Sequence, residues 1–300
     1  MRGKKGSGFR VQVGGTGWES TSMQIRLMTC DDLPLGLRLA AQAGWNQTEA
    51  DWRRFLWLEP RGCFVAQWAG EPAATTAAFV FGSVGWIAMV LVDEAFRHRG
   101  IATQLVERAL QYLDGQGVRT ARLDATPLGR PVYERLGFVA EYGLIRMQGT
   151  ACWPSVDPSF APLPVERLRA VCDLDAAVTG TPRGRLIQRL YDERPEEATA
   201  VFEGAAAVGY AFLRPGRRAG QVGPAAALSA ATGVAMLDRV LARCPAGLVF
   251  VDIPADNRAA IEWAGTRGFV VQREFTRMYR GQRIADFPQQ IWASSGPEKG

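Results

Sequence analysis

FRHRGIATQL, residues 96–105, follows the apolar run MVLV at 89–92 and opens a helical pattern. From Ile101 the apolar side chains Ile101, Leu105, Ala109 and Tyr112 recur at four, four and three residues, the spacing of one helix face. Gln104, Glu107, Arg108 and Gln111 fall between them, and Gly115 and Gly117 close the pattern. Trp86 to Val92, before the loop, reads as a continuous apolar strand. A strand, a glycine-containing loop and a helix in that order aim the helix's first amides, which lack intrahelical partners, at whatever lies beyond its N-terminus. Arg97 and Arg99 add charge-assisted contacts to phosphate oxygens, Gly100 lets a ligand approach the backbone, and Ala102 keeps the next amide accessible. The junction predicts a site for a phosphate-bearing ligand; the plainer reading is a solvated basic turn.

The spacing is neither G-x-x-x-x-G-K-[ST] nor G-x-G-x-x-G. As Arg97-x-x-Gly100-x-Ala102 it resembles the R/Q-x-x-G-x-G/A signature of the GNAT acetyltransferases. MVLVDEAFRHRGIATQLV at 89–106 and PVYERLGF at 131–138 are also similar to segments of that family, and the resemblance runs in order over residues 24–149. It implies an α/β (α+β) fold with a mixed, mostly antiparallel sheet flanked by helices. It implies acetyl-CoA as co-substrate and an amine as acceptor, with direct attack in a ternary complex. The strand backbone of Met89, Val90, Leu91 and Val92 would bond the pantetheine arm. The amides from His98 through Arg99, Gly100, Ile101 and Ala102 to Thr103 would take the pyrophosphate, with Arg97 beside them. Tyr133, four residues before Gly137-Phe138, would protonate the departing thiolate; its alternative is a packed helix tyrosine. Asp124, near the end of the preceding strand, is a candidate proton acceptor for the amine or a structural hydrogen-bond acceptor. A strand amide near Met89 to Leu91 would polarise the carbonyl, and Asp93 and Glu94 would shape the cofactor loop.

Around this centre the sequence predicts strands at 24–28, 63–68, 74–81 and 120–125, helices at 33–43 and 48–58, a short helix at 130–136, and two strands near 139–142 and 144–148. ACWPSVDPSFAPLP, from Ala151, carries four prolines and reads as a linker. After it a fainter copy begins. LPLGLRLA at Leu33 answers LPVERLRA at Leu163, an offset of 130; Gly137-Phe138 with Arg146-Met147 answers Gly268-Phe269 with Arg277-Met278, an offset of 131. Two domains are expected, at 24–149 and 163–281, joined by a linker at 150–162 and flanked by a flexible tail at 1–23 and a C-terminal tail at 282–300. Met23 is a candidate natural start. The second copy keeps Asn257, Ala260, Gly268 and Phe269 at family spacing but has Ala264 where Tyr133 stands, and QVGPAAALSAATGVAML at 221–237 lacks the arginines and the loop spacing. It is expected to be a degenerate GNAT-like domain that binds no CoA there and either walls the acceptor pocket or only stabilises the first. Trp263, Asp252 and Tyr279 are candidate pocket residues, as are Trp45 and Trp86, with core packing as the alternative for each.

Composition bounds the rest. The apolar share of 47% and charged share of 22% describe a chain able to bury a core. The net charge is +5, of which +3 lies in the first 22 residues, too little elsewhere for a nucleic-acid face. Five scattered cysteines (Cys30, Cys63, Cys152, Cys172 and Cys244) without a C-x-x-C pair fit reduced thiols in the cytoplasm. With one histidine, His98, no metal is expected, and a Ser-His-Asp triad has no G-x-S-x-G elbow. The longest apolar stretch, 77–92, is broken by Gly82, Ser83 and Gly85 and predicts two strands and a turn rather than a membrane span. The expectation is therefore an N-acetyltransferase acting on a small-molecule amine, with no membrane or nucleic-acid partner. Rival readings are an acyl-CoA sensor without turnover, an enzyme for longer acyl chains, and a nucleic-acid-linked protein, which rests on the basic pI and is weakened by the charge lying partly in the tail. Acceptor identity and oligomeric state stay open.

Overall fold

The computed structural model describes residues 23–151 and 162–300. Most of the expected N-terminal tail and linker, with Cys152, lie outside the described residues. In the first half β1 (Met23–Leu27) leads through a one-turn 3-10 helix (Cys30–Asp32) into α1 (Leu33–Gln42) and α2 (Glu49–Leu58). Thr48 starts α2 as a reciprocal cap: its hydroxyl accepts from the Asp51 N–H, and the Asp51 carboxylate accepts from the Thr48 N–H at 2.9 Å. Then come β2 (Cys63–Trp68), β3 (Glu71–Phe81), β4 (Val84–Val92), α3 (Ile101–Gly115), β5 (Thr120–Ala125), α4 (Arg130–Arg135) and β6 (Val139–Ala151). From α1 onward the second half repeats this order: α5 (Leu168–Thr179), α6 (Gly184–Glu193), β7 (Ala198–Glu203), β8 (Ala206–Arg214), β9 (Gly220–Ala227), α7 (Ala230–Arg243), β10 (Gly247–Pro254), α8 (Arg258–Thr266) and β11 (Val270–Gly281). A short β12 (Ile291–Ala293) follows.

All twelve strands form one sheet, in the order β1-β2-β3-β4-β5-β11-β6-β10-β9-β8-β7, with β12 on β9. Only β4–β5 and β9–β10 are parallel pairs. The last strand of each half lies next to the other half: β11 pairs with β5, β6 pairs with β10, and β6 and β11 pair with each other. The halves have thus exchanged strands. The two strands predicted at 139–142 and 144–148 are one, because Gly143 is itself paired, opposite Thr276. One edge of β6 is bonded over residues 139–148 and the other over 144–151, so the strand is held continuously.

Alternation along β4 shows how the layers form. Trp86, Ala88 and Leu91 belong to an apolar core that also contains Trp52 and Phe55 of α2, Val171 of α5, Leu186 of α6 and Phe212 of β8. Ile87 faces the other way, into a core with Ile101, Leu105, Ala109 and Leu113 of α3. In the second half α7 and α8 supply the corresponding outer layer through Met236, Leu237, Val240 and Trp263. One face of the sheet therefore carries a core common to both halves.

The two repeat signals fare differently. Leu33–Ala40 lies wholly in α1, whereas Leu163–Ala170 spans a loop, a 3-10 turn (Val165–Arg167) and the start of α5, so these segments are not structural equivalents. The Gly-Phe signal marks a true equivalence. Phe138 N–H donates to the Tyr133 carbonyl at 3.1 Å after α4, and Phe269 N–H donates to the Ala264 carbonyl at 3.0 Å after α8. Residues 282–300, expected as a tail, return to the sheet. Ser295 and Lys299 are fully buried, Glu298 nearly so, and Trp86 Nε1 donates to the Pro297 carbonyl at 3.2 Å.

Candidate active site

Strands β4 and β5 pair only through Val84–Thr120, Gly85–Ala121 and Trp86–Arg122, then separate. A bulge helps to part them: Met89 and Val90 of β4 oppose the single residue Thr76 of β3, and Met89 adopts φ +53°. Hydroxyls of Thr75 and Thr76 anchor the bulge by donating to the Met89 and Ala88 carbonyls at 3.0 and 3.2 Å. The V between the strands opens into a cavity of about 860 Å³.

Val90, Leu91 and Val92 line one wall of this cavity, and Arg97, His98, Gly100, Ile101, Ala102 and Thr103 line its end. Asp93 steadies the approach by capping the turn Glu94–Phe96, its carboxylate accepting from the Ala95 N–H at 3.0 Å. His98 and Gly100 both take left-handed backbone angles, φ +63° and +76°, which curl the loop into the helix start. The first α-helical bond of α3 runs from the Gln104 N–H to the Gly100 carbonyl at 3.2 Å. The amides of Ile101, Ala102 and Thr103 precede it and have no intrahelical acceptor. Arg97 reaches the cavity while its Nε donates to the Val92 carbonyl at 3.3 Å. Arg99 is not among the residues lining the cavity; its guanidinium lies over the rings of Trp68 at 5.2 Å and Phe96 at 5.6 Å.

Tyr133 and Asp124 line the opposite wall with Thr126. Tyr133 packs edge-on against Phe138, ring centroids 6.0 Å apart, and its hydroxyl has no hydrogen-bond partner among the described residues. Burial raises its phenol pKa well above the ordinary value, so the group is protonated at neutral pH. Asp124 is fully engaged by Arg277 of β11: Nε to Oδ1 at 2.8 Å and Nη2 to Oδ2 at 2.9 Å. Burial pushes its pKa up, and the Arg277 charge opposes that rise. A related pair joins Arg146 of β6 to Asp252 of β10, at 2.7 and 2.8 Å. Each arginine stands on an exchanged strand and pairs with an aspartate of the other half.

Beyond Met89 the cavity narrows to a recess of about 30 Å³ where the halves meet. Trp45, Arg146, Arg273, Phe275, Pro297 and Glu298 close it. Sequence reasoning missed the last five as pocket residues, Arg146 having stood out only as part of the repeat. Of the other pocket candidates, Trp263 is core, its Nε1 donating to Asp238 at 2.9 Å, and Asp252 serves Arg146. Tyr279 is paired opposite Arg122, and Trp86 is buried beneath Gly300. None of these four lines the cavity or the recess.

The matching V in the second half is filled. β9 and β10 pair only up to Val222–Val251, and β12 enters where they part. It pairs with β9 at Ile291–Ala226 and Ala293–Ala225, and the Ser294 N–H donates to the Asp252 carbonyl at 2.8 Å. Asn257 Nδ2 donates to the Ile291 carbonyl at 2.9 Å, and Trp292 lies across Gly233 in the first turn of α7. A Cβ on Gly233 would fall 1.9 Å from Trp292 Cε2. Gly233→Ala should therefore displace Trp292 and cost about 1–3 kcal/mol, read as a lower urea midpoint. An unchanged midpoint would mean that β12 is not held there.

A parted strand pair with a bulge, an open helix N-terminus and a buried tyrosine meet in this one cavity. Residues 35–138 match the acetyltransferase (GNAT) family and residues 171–293 match an acetyltransferase (GNAT) domain, together more than half the chain. The chain belongs to the GNAT acetyltransferase family, with two such domains in tandem. It is similar to the uncharacterized N-acetyltransferase YitH of Bacillus subtilis, 26% identical over 224 residues, which are 74% of this chain and 78% of that protein. The fold is similar to that of a Pyrococcus horikoshii protein assigned as an acetyltransferase (TM-score 0.80, 21% identity, 97% of this chain and 99% of that one). It is also similar to a tandem GNAT protein from the clavulanic acid biosynthesis pathway (TM-score 0.59, 15% identity, 88% and 100%). No described helix is long and apolar enough to cross a membrane.

Proposed function

We propose that the chain transfers an acetyl group from acetyl-CoA to a small-molecule amine, using the first half for the cofactor and both halves for the acceptor. The observation that carries this reading is the V between β4 and β5, open along Val90–Val92 and ending in the free amides of Ile101, Ala102 and Thr103. Backbone groups of Val90 to Val92 suit the amides of the pantetheine arm, and the helix start with Arg97 suits the pyrophosphate. The filled V of the second half leaves one such site per chain.

The amine nitrogen attacks the thioester carbonyl carbon, and the C–S bond breaks. Tyr133, protonated and without a partner among the described residues, donates its proton to the leaving sulfur. A backbone amide at the Met89 bulge polarises the carbonyl. The amine's own proton leaves to water or to Asp124; the latter must act against the pull of Arg277. The narrow recess beyond Met89 favours a small acceptor over a protein loop. Held geometry supplies much of the acceleration.

Calorimetric titration tests the reading. Acetyl-CoA should bind at one site per chain, and Arg97→Ala should weaken it about 10-fold or more, the scale of a charge-assisted phosphate contact. Two equal sites would refute the division of labour. Binding without acceptor-dependent release of CoA would favour an acyl-CoA sensor.

A further inference from the structure

The charged groups around the recess are nearly all matched. Arg146 holds Asp252, and Arg277 holds Asp124. Glu298 is bonded by Lys299 and by Gln47 Nε2, with Arg214 beside it at 3.6 Å. Arg273 is the exception. It lines both the wide cavity and the recess, yet it has no hydrogen bond or ion pair with any described residue. Burial and the neighbouring charges of Arg146 and Arg218 push its pKa down, with Asp252 opposing them. None of residues 96–103 lines the recess, so Arg273 stands at the Tyr133 end of the site rather than at the pyrophosphate end.

An unmatched guanidinium beside the reacting centre has a natural complement: a planar or tetrahedral oxyanion, bound through two parallel N–H donors. Resting on the acetyltransferase reading above, we propose that Arg273 selects the acceptor, and that the amine carries an acidic substituent, carboxylate or phosphate, which pairs with this guanidinium while the nitrogen faces Tyr133. The second half thereby contributes to the reaction without a cofactor of its own. β11 carries Arg273 across the exchange into the first half's site, and Phe275 follows on the same strand face.

Matched acceptors test this with CoA thiol release as the readout. In the carboxylate arm L-leucine is compared with isopentylamine; in the phosphate arm glucosamine 6-phosphate is compared with glucosamine. The wild-type chain should favour the acidic member of at least one pair by about 10-fold or more in kcat/KM. Arg273→Gln should erase that preference through KM for the acid, Arg273→Lys should restore part of it, and acetyl-CoA affinity by calorimetry should stay within about twofold. Equal use of both members, a preference for the neutral one, or a variant that loses acetyl-CoA affinity instead would overturn the inference and leave the acetyltransferase reading standing. Acetyl-CoA binding with neither acid bound nor turned over would do the same. Failure of the wild-type chain to bind acetyl-CoA would overturn both.

Discussion

Arg277→Ala is expected to destabilise the chain by about 3–5 kcal/mol, because it strands a buried carboxylate. Asp124 and Arg277 side chains are 1% and 3% exposed, and both Asp124 oxygens are bonded by this one guanidinium. Arg277 also donates to Tyr142 Oη at 2.9 Å and lies over the Trp86 ring at 4.8 Å. A loss of that size rivals the whole stability of a small domain. Urea denaturation would measure it. Arg277→Met with Asp124→Leu should recover most of the loss, since a buried pair is costly mainly when one partner is missing. A loss below about 1 kcal/mol in the single variant would show that water reaches Asp124 and that the two halves do not depend on this pair.

Tyr133→Phe should lower kcat about 100-fold while leaving acetyl-CoA affinity within about twofold. General acid catalysis contributes about 10²–10⁴-fold, and the lower end applies because a thiolate leaves fairly well unaided. The substitution removes only an oxygen that has no hydrogen-bond partner among the described residues, and the ring keeps its edge contact with Phe138. Thermal melts should therefore barely move. Turnover within about threefold of wild type, on the best acceptor from the matched pairs, would mean that the sulfur takes its proton from water.

Much of the centre was legible because it is local. The loop at 96–105, the stripe of α3 and the Tyr133-to-Phe138 spacing all lie within a few turns of chain, where periodicity and capping speak directly. The repeated Arg-Met signal at 146 and 277 was visible too. Its meaning was not, since a strand's side-chain pattern says which face is buried but not whose edge it joins. Arg273 and Arg277 sit four apart, hence on one face of β11, and that spacing was the available sign that this strand turns charge toward the first half. It reads as an ordinary wet strand until β11 is seen beside β5. Residues 294–300 misled for a different reason. Glu298 and Lys299 look like a polar end, yet they are buried because each finds opposite charge there. Arg99 was read from its spacing toward a phosphate; the two aromatic faces its guanidinium lies over come from β2 and from the turn before Arg99 itself, which spacing does not show.

The exchange of β6 and β11 sets a timetable for the ribosome. Ala125 waits for Thr276, so the first half leaves the exit tunnel with the edge of β5 exposed while another 150 or so residues are made. Contacts closed over such separations form slowly, and an open edge invites foreign strands meanwhile. The junction of the halves therefore closes only after β11 has been made, so the strands that complete the active-site sheet are among the last to join it.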